Sequence, residues 1–305
     1  MKKVAAFSPS HITGIFMVKD NCKNPRLRGS LGAGVSLKKG VYTTVEVEKN
    51  HKWTVKTYVN GKLVSGREAA VSLATLKEFF KLASPHKILV NHEIGVPISS
   101  GYGVSGACAL SLSLALNEAL NSGLSKVEAA QIAHIAEIKC KTGLGTVLAE
   151  SFGGVEIRVK AGAPGVGSVK RIENTENFKV VSLCFGKLPT KKFLINKKFR
   201  KKVNIIGGRL LKRVIEKPSV DNLMFVSRKF ADKLSLYTPK LRKILDLLGF
   251  QDSRPFTMNM FGEAVFTLIE EEKLNRLIKT IQAYQNFGGQ LIVSEIDMLG
   301  ARLIE

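Results

Sequence analysis

Residues 97–107 read Pro-Ile-Ser-Ser-Gly-Tyr-Gly-Val-Ser-Gly-Ala, and the rest of the chain is interpreted outward from this stretch. A short apolar strand at 88–90 precedes it, and a segment rich in small residues, 107–120, follows it. The three glycines allow positive φ and a close approach of the backbone to a ligand. Unpaired N–H groups and the positive dipole end at the start of the following helix favour a bound phosphate. The stretch predicts a nucleotide-phosphate loop, although a plain glycine-rich turn between a strand and a helix fits the same pattern.

Two widespread phosphate-binding motifs do not fit this stretch. It contains no lysine and no Gly-Lys-Ser/Thr follows it, which excludes the common P-loop. The dinucleotide-binding fingerprint requires an acidic residue at the end of a strand about 20 residues further on, and none is found there. A different class of phosphate loop is therefore needed.

The amino-acid composition limits the classes of protein to which the chain can belong. With 305 residues, 45% of them hydrophobic and 24% charged, the chain can bury a large core, and two lobes are expected. The four cysteines are widely spaced and form no pair at metal-ligand spacing, which fits a reducing compartment. No signal-peptide core follows the basic start, and no apolar run is long enough to span a bilayer. We therefore expect a cytoplasmic protein with no membrane-spanning segment.

The charge balance is strongly basic, with a net charge of +22 from 47 Lys and Arg against 25 Asp and Glu. Such an excess suits nucleic acid, a polyanionic small ligand or a generally basic surface. The densest basic run lies within 191–202 and contains two phenylalanines but no pattern of aromatic stacking platforms. A solvated basic face is therefore favoured over an RNA site, and a nucleic-acid partner is disfavoured.

Hydrophobic periodicity predicts strands and helices in a mixed order. Strands are predicted at 4–7, 41–47, 155–160, 180–185, 263–269 and 290–296, with a hairpin over 53–64 that turns on Asn60-Gly61. Helices are predicted at 67–82, 107–120, 220–234, 241–248 and 270–286, with one more that begins at a capping box of Ser125 and Glu128. Residues 8–11 are predicted to break the first strand, and 29–34 to form a second glycine-rich turn.

This order has no regular alternation of strands and helices, so the predicted fold class is α+β. Glycines and a proline at 162–167 predict a boundary between lobes. The predicted division is residues 1–165 and residues 166–305. The first part is expected to be the ATP-binding lobe with the phosphate loop, and the second to complete the substrate site.

Four stretches together resemble a known family. They are 97–107, quoted above, 6–14 (Ala-Phe-Ser-Pro-Ser-His-Ile-Thr-Gly), 28–34 (Arg-Gly-Ser-Leu-Gly-Ala-Gly) and 258–263 (Met-Asn-Met-Phe-Gly-Glu). The first resembles the second signature of the GHMP kinases, a proline followed by a Gly-x-Gly-x-Ser-small run that opens a helix. Within that superfamily the combination is most similar to the archaeal-type pantoate kinases, over nearly the whole chain.

The resemblance implies a two-lobed GHMP-kinase-like fold, with an N-terminal mixed sheet plus helices and a C-terminal ferredoxin-like α/β sandwich lobe. It implies a kinase that uses ATP and Mg²⁺ to phosphorylate the 4-hydroxyl of pantoate in coenzyme A biosynthesis. Its partners would be pantoate and ATP, and the oligomeric state is open, a homodimer included. Two alternatives remain: a kinase of another small hydroxy acid or alcohol, such as homoserine or mevalonate, and a basic RNA- or ribosome-binding protein.

The resemblance also implies a nucleotide and metal site. The residues that would hold the ATP phosphates are Pro97, Ser99, Ser100, Gly101, Gly103, Ser105, Gly106 and Ala107. From its pattern alone, Glu137 is either a solvated carboxylate near a helix end or a buried one that needs a partner. The family places a magnesium-binding Glu at this point. Together with Ser105, Glu137 would offer the hard oxygen ligands that Mg²⁺ requires.

A substrate site is implied as well. His11 is either a loop histidine with ordinary partners or a group that faces a substrate anion, and the resemblance favours the second. Arg158 lies on one strand face with Glu156. The family holds the substrate carboxylate with an Arg at this point, where a planar bidentate donor fits. The other residues that the resemblance assigns to this pocket are Ser10, Ser30, Gly32, Gly34 and Gly262.

Thr146 departs from the family pattern. Many pantoate kinases and mevalonate-type relatives carry an Asp here that is thought to activate the hydroxyl, and this chain has no Asp between Asp20 and Asp221. A general base is typically worth about 10²–10⁴ in rate. Phosphoryl transfer depends mainly on positioning and charge neutralisation, however, and homoserine-kinase-like relatives are believed to work without such a base. The catalytic set is therefore Ser105, Glu137 and Thr146, with the identity of the acceptor left open.

Overall fold

The computed structural model describes residues 1–188, 196–251, 254–283 and 288–304. In chain order its strands are β1 (Lys2–Lys19), β2 (Gly29–Lys49), β3 (Thr54–Val59), β4 (Lys62–Val64), β5 (His86–Ile94), β6 (Val155–Lys160), β7 (Ser168–Ile172), β8 (Phe178–Lys187), β9 (Phe250–Gln251), β10 (Arg254–Pro255), β11 (Thr257–Met258), β12 (Gly262–Glu270), β13 (Gln290–Glu295) and β14 (Arg302–Ile304). Its α-helices are α1 (Ala70–Phe79), α2 (Val104–Ala119), α3 (Lys126–Cys140), α4 (Thr146–Phe152), α5 (Lys197–Glu216), α6 (Val220–Leu234), α7 (Pro239–Leu248) and α8 (Glu271–Gln282). The predicted α+β class is confirmed.

The first sheet is mixed and is built on the long antiparallel pair β1 and β2. Its strand order is β14-β1-β2-β5-β3-β4, and β6 and β7 extend it from the other half of β2. Residues 41–49 of β2 pair with β5, whereas residues 32–35 pair with β6. The parallel pairing of β3 with β5 makes the sheet mixed. Helices α1, α2 and α3 share a hydrophobic core with this sheet, because their apolar and small residues face it.

The second sheet is antiparallel in the order β11-β12-β8-β13. Its apolar face and the buried residues of α5, α6 and α7 belong to one core that also includes residues of β1 and β2. Phe16 of β1, for example, packs edge-on against Phe230 of α6, with the ring centroids 5.6 Å apart. Strands β7 and β14 follow residue 165 yet lie in the first sheet. The lobe boundary at residue 165 stays a prediction.

Two predicted interruptions are in fact strand. The expected break at residues 8–11 is wrong: β1 continues through Pro9 with a shift of register between Ser8 and Ser10, since a bulge accommodates a residue that has no N–H. The expected turn at 29–34 is the start of β2. Its glycines leave room for neighbouring side chains, because a Cβ on Gly34 would lie 2.6 Å from Cε1 of His11.

Helix α5 was not predicted from the sequence. The basic run 191–202 leads into it, and the part of that run before residue 196 lies outside the described residues. Lysines 197, 198, 201 and 202 are exposed, while Val203, Leu210 and Val214 are buried at helical spacing. The predicted helix 270–286 ends at Gln282, and its last predicted residues fall outside the described ranges. Across the described part of the chain, the model contains no helix with the length and apolar character needed to cross a membrane.

Candidate active site

The loop between β5 and α2 has the expected positive φ at Gly101 and Gly103 but not at Gly106, which lies inside α2. Ser99, Gly101 and Gly103 have φ angles of 64°, 83° and 68°. Gly103 is the N-cap of α2, and no side chain caps this helix start. The first-turn N–H groups therefore lack an internal side-chain partner, which is the arrangement that accepts an anion at a helix N-terminus.

Two of the other stretches of the resemblance, 6–14 and 258–263, contact this loop. The backbone N–H of His11 donates to the carbonyl of Tyr102 at 2.9 Å, and that of Met260 donates to the carbonyl of Thr13 at 3.3 Å. Gly262 packs so closely on the loop that a Cβ there would lie 1.9 Å from the carbonyl oxygen of Ser100. Stretches that are far apart in the sequence thus meet at one place.

A cavity of about 1380 Å³ opens at this place. The predicted site residues that line it are His11, Ser30, Ser99, Gly101, Gly103, Ser105, Glu137, Thr146 and Arg158. Four further cations, Lys62, Arg67, Lys141 and Lys187, also line it. A pocket that combines a helix start with several cations attracts polyanions such as nucleoside triphosphates.

The remaining predicted residues lie around the cavity rather than on its wall. Pro97 and Ser100 line a smaller cavity of about 590 Å³ beside the loop. Gly106 and Ala107 lie within α2, and Gly32, Gly34 and Gly262 provide space for neighbouring groups. Ser10 is buried, and its hydroxyl donates to the carbonyl of Lys39 at 2.6 Å. The structure therefore does not place Ser10 on the cavity wall with the other predicted substrate residues.

Two carboxylates are buried beneath the phosphate loop. Glu137 of α3 is 2% exposed, so the alternative of a solvated helix-end carboxylate is wrong. Burial raises the pKa of Glu137 to about 8, against a weak opposing hydrogen bond from Thr142. Glu150 of α4 is fully buried, and neither carboxylate oxygen has a partner among the described residues. Burial raises the pKa of Glu150 well above its usual range, and the nearby charge of Glu137 adds to this rise.

These carboxylates fit a divalent cation. A Cβ on Gly106 would lie 2.7 Å from Oε2 of Glu150 and 3.2 Å from Oε2 of Glu137, so both groups face the first turn of α2 next to Ser105. Buried carboxylates without partners are costly unless a positive charge compensates them. Mg²⁺ commonly takes one or two carboxylates and completes its shell with phosphate and water oxygens. Ser105 and Glu137 therefore suit Mg²⁺ beside a bound triphosphate.

A buried polar network around Arg158 also adjoins the cavity. Nη1 of Arg158 donates to the carbonyl of Gly145 at 3.2 Å, and Nε lies 3.6 Å from Oε2 of Glu156. Nη2 of Arg158 has no partner among the described residues, although the side chain is only 1% exposed. The other carboxylate oxygen of Glu156 accepts from Nε2 of His11 at 2.9 Å. Nε and Nη2 of Arg158 thus have no hydrogen-bond acceptor among the described residues, and an anion bound in the cavity could supply one.

Burial and charge set the ionisation of this network. Burial lowers the pKa of His11, although its bond to Glu156 opposes the shift. Burial alone would raise the pKa of Glu156, but the charge of Arg158 and the bond from His11 outweigh it, and the net shift is downward. The stable arrangement is an ionised Glu156 between a charged Arg158 and a neutral His11.

The sequence analysis did not identify three residues of the site as functional. Glu156 lies two residues before Arg158 on the same strand face, which was a usable signal. Glu150 lies one helical turn after Thr146, but nothing in the sequence separates it from a surface carboxylate. Thr13 lines the cavity beside His11 and had no distinguishing pattern.

Comparison with known proteins agrees with this geometry. The family model described as the GHMP kinases N terminal domain matches residues 68–154, which include the phosphate loop, Glu137 and Thr146. The pantoate kinase of Thermococcus kodakarensis is 31% identical over 277 residues, covering 90% of this chain and 90% of that protein. The chain belongs to the pantoate kinase family of GHMP kinases. The pantoate kinase of Methanocaldococcus jannaschii is also 31% identical, with 90% of this chain and 96% of that protein covered.

Solved structures extend the GHMP kinase assignment to the fold. A structure described as a phosphotransferase related to the CoA biosynthesis pathway superimposes with a TM-score of 0.89, at 28% identity and 99% coverage of both chains. Mevalonate diphosphate decarboxylase from Staphylococcus aureus, at 17% identity, shares the fold with a TM-score of 0.75 over 100% of this chain and 98% of that chain. The predicted GHMP-kinase-like fold and the predicted family are confirmed.

Proposed function

We propose that this chain transfers the γ-phosphate of ATP to the 4-hydroxyl of pantoate and yields 4-phosphopantoate. The observation that carries the proposal is a cavity lined by the phosphate loop, the buried Glu137 and Arg158, whose Nη2 has no partner among the described residues. This combination suits an acceptor that carries both a carboxylate and a hydroxyl. The pantoate kinases that match 90% of the chain support the same acceptor.

The residues take the following roles in the proposed reaction. Loop amides within 100–107 bind the triphosphate, and the cations along the cavity wall neutralise part of its charge. Ser105 and Glu137 would hold Mg²⁺, which supplies charge neutralisation at the phosphates. Glu150 lies behind this position, where a bound cation would favour its ionised form. The four free cysteines fit the reducing cytoplasm that we infer as the compartment.

The acceptor is positioned by the polar network around Arg158. Nη2 of Arg158, assisted by Ser30 and the turn at Gly145, would bind the substrate carboxylate. The hydroxyl then points toward the phosphate loop and attacks in line with the leaving ADP. Holding both reactants in this geometry supplies most of the catalysis in phosphoryl transfer.

The direct test is the steady-state release of ADP with pantoate, homoserine and mevalonate as competing acceptors in the presence of Mg²⁺. We expect kcat/KM for pantoate to exceed that of the other two by about 100-fold or more, since the three acceptors share the carboxylate and differ in the groups between it and the hydroxyl, which the pocket must accommodate. Equal inertness of all three acceptors would contradict the proposal. A clear preference for homoserine or mevalonate would replace pantoate with that acceptor.

A variant tests the nucleotide end. Glu137→Gln should lower kcat by about 10²-fold or more while the fold is retained, because it removes a charge that acts on the transferred group. Glu216→Gln, an exposed change on α5, is the matched control and should behave like the wild type. Turnover of Glu137→Gln at the wild-type rate would remove Glu137 from the mechanism.

A further inference from the structure

The proposed reaction leaves the proton of the acceptor hydroxyl without an evident destination. Thr146, at the position where the family resemblance implies an Asp, has a hydroxyl that cannot retain an added proton at neutral pH. Among the described residues that line the cavity, the candidate bases are Glu68, His92, His11 and Glu137. Glu137 is assigned to the cation, and Glu68 is an exposed residue close to Lys62 and Arg67 in sequence, outside the polar network around Arg158.

His92 does not fit the role, because its ring nitrogens bond only hydroxyl groups, and no carboxylate among the described residues bonds it to stabilise an imidazolium. Nδ1 bonds the hydroxyl of Thr43 at 2.8 Å and Nε2 bonds the hydroxyl of Ser72 at 3.0 Å. His11 is the remaining base on this wall in the described part of the chain. His11 contacts both the phosphate loop, which would bind ATP, and Glu156, which adjoins the Arg158 that would bind the acceptor.

On one side His11 adjoins the phosphate loop. Its N–H donates to the carbonyl of Tyr102 at 2.9 Å, and its own carbonyl would lie 3.2 Å from a Cβ on Gly103. On the other side its ring bonds Glu156, which is adjacent to Arg158. An acceptor that binds Arg158 through its carboxylate and directs its hydroxyl at the γ-phosphate would therefore lie near this residue.

The ring of His11 is buried, and Thr13 connects it to the cavity. Thr13 is partly exposed and lines the cavity, and its Oγ1 lies 3.3 Å from Nδ1 of His11. Ionised Glu156 can only accept, so Nε2 of His11 carries the proton and Nδ1 is the acceptor for the hydroxyl of Thr13. The order Thr13, His11, Glu156 is that of a hydroxyl, a base and the group that orients the base.

We propose that Thr13, His11 and Glu156 form the path that takes up the proton of the acceptor hydroxyl. The inference rests on the proposed function. As the acceptor oxygen forms its bond to the γ-phosphorus, the bond from that phosphorus to ADP breaks and ADP leaves with the electron pair. The acceptor proton moves to Oγ1 of Thr13, whose own proton moves to Nδ1 of His11. The resulting imidazolium lies against the carboxylate of Glu156, and its proton returns to water through Thr13 after product release.

Glu156 and Arg158, both on β6, are the charged groups that face His11 among the described residues. Glu156 acts through the other two members and through Arg158, so it is a positioning residue. This arrangement separates the hydroxyl that contacts substrate from the base that stores the proton. It would allow the enzyme to work with Thr146 in place of an Asp.

The experiment compares Thr13→Val with Thr13→Ser by single-turnover quench kinetics at saturating ATP, Mg²⁺ and pantoate, from pH 5 to pH 9. We expect Thr13→Val to lower the rate of phosphoryl transfer by about 100-fold, the usual size of a general-base contribution, with the KM for ATP within about twofold of the wild type. Thr13→Ser keeps the hydroxyl and should lie within about threefold of the wild type. Thr267→Val, at a buried threonine in the second sheet, is the matched control and should leave the rate unchanged.

The pH profile supplies a readout that a purely structural role would not change. In the wild type the rate should fall in acid as His11 becomes protonated and can no longer accept. In His11→Asn the part of this acid limb that comes from His11 should disappear along with about 100-fold of the rate, whereas the part that comes from Glu137 should remain. Circular dichroism of each variant shows whether it is folded. If His11→Asn does not fold, the comparison of Thr13→Val with Thr13→Ser still tests the inference, because both substitutions are close to threonine in size.

Two outcomes overturn different claims. An active wild type together with a Thr13→Val variant of unchanged rate and unchanged acid limb overturns this inference alone. A wild type that is inert with pantoate, homoserine and mevalonate overturns the proposed function and this inference with it.

Discussion

Arg158 illustrates at the scale of one residue how a buried charge is retained for binding. Its guanidinium group is 1% exposed, and Glu156 compensates its charge on one side only. Leaving a buried donor without a partner costs about 1–3 kcal/mol. Gly32 and Gly145 accommodate the group, since a Cβ at either would lie 2.8 Å and 3.2 Å from its two terminal nitrogens. A substrate carboxylate would satisfy the unpaired donor.

Arg158→Lys tests this account. Lysine keeps the positive charge but loses the planar fork that binds a carboxylate through two N–H groups. We expect the KM for pantoate to rise by about tenfold or more, while the KM for ATP stays within about twofold. Steady-state kinetics with each substrate varied in turn measures both values, and Arg209→Lys on the exposed side of α5 is the control. An unchanged KM for pantoate would remove Arg158 from substrate binding.

At the scale of elements, the site depends on how tightly the phosphate loop packs on α4. Gly103 joins the loop to α2 in a left-handed conformation, and a Cβ there would lie 2.6 Å from Cγ2 of Thr146 and 2.7 Å from Oε1 of Glu150. Gly123, which follows α2, also has a positive φ, but no described atom lies within 4 Å of a Cβ there. A substitution at either glycine therefore strains the backbone, but only a substitution at Gly103 also clashes with neighbouring side chains.

Gly103→Ala and Gly123→Ala form a matched pair. Gly123→Ala should cost about 1–2 kcal/mol of stability, the strain of an L-residue in the left-handed region, with normal kinetics. Gly103→Ala adds a clash that must displace the loop from α4, so we expect kcat/KM for ATP to fall by about 100-fold as well, as for other small displacements of reacting groups. Chemical denaturation and ATP kinetics measure the two effects. Equal kinetics in both variants would show that the packing of the loop on α4 is not required.

At the scale of the whole molecule, three buried histidines link global stability to pH. His11, His92 and His134 are each 1% exposed, and burial lowers the pKa of each below its usual value. For His92 the pKa falls to about 4. His92 binds a proton less tightly in the folded protein than in the unfolded protein. The free energy of unfolding is therefore highest above pH 6.5, the ordinary pKa of histidine, and decreases as the pH falls toward 4.

His92→Asn should reduce this loss of stability in acid. Between pH 7 and pH 5 the free energy of unfolding of the wild type should fall by about 2 kcal/mol because of His92 alone. In the variant this part of the decrease should be absent. Urea unfolding at the two pH values measures the difference. His51→Asn, at an exposed histidine, should keep the wild-type pH dependence. The same pH dependence in His92→Asn as in the wild type would contradict the assignment.

Structural features that depend on only a few neighbouring residues could be predicted from the sequence. Strand β6 and helix α6 have the predicted bounds, the Asn60-Gly61 hairpin is present, and Ser125 and Glu128 form the predicted capping box. The positive φ angles at Gly101 and Gly103 were also expected, because only local sterics decide them. These features depend on backbone geometry and neighbouring side chains alone, so a single stretch of sequence contains the cause. The family motifs added which of these local features belong to one site.

Only the tertiary structure decided which polar groups are buried and which strands meet. Residues 29–34 have the composition of a turn and form a strand, because His11 and Arg158 from neighbouring strands fill the space above Gly34 and Gly32. Whether Glu137 and Glu150 are solvated or buried depends on packing between α2, α3 and α4, elements that no local pattern orients. The path from Thr13 to Glu156 joins residues about 140 positions apart in sequence through a shared sheet. Long-range packing sets burial, and burial determines which of these side chains can do chemistry.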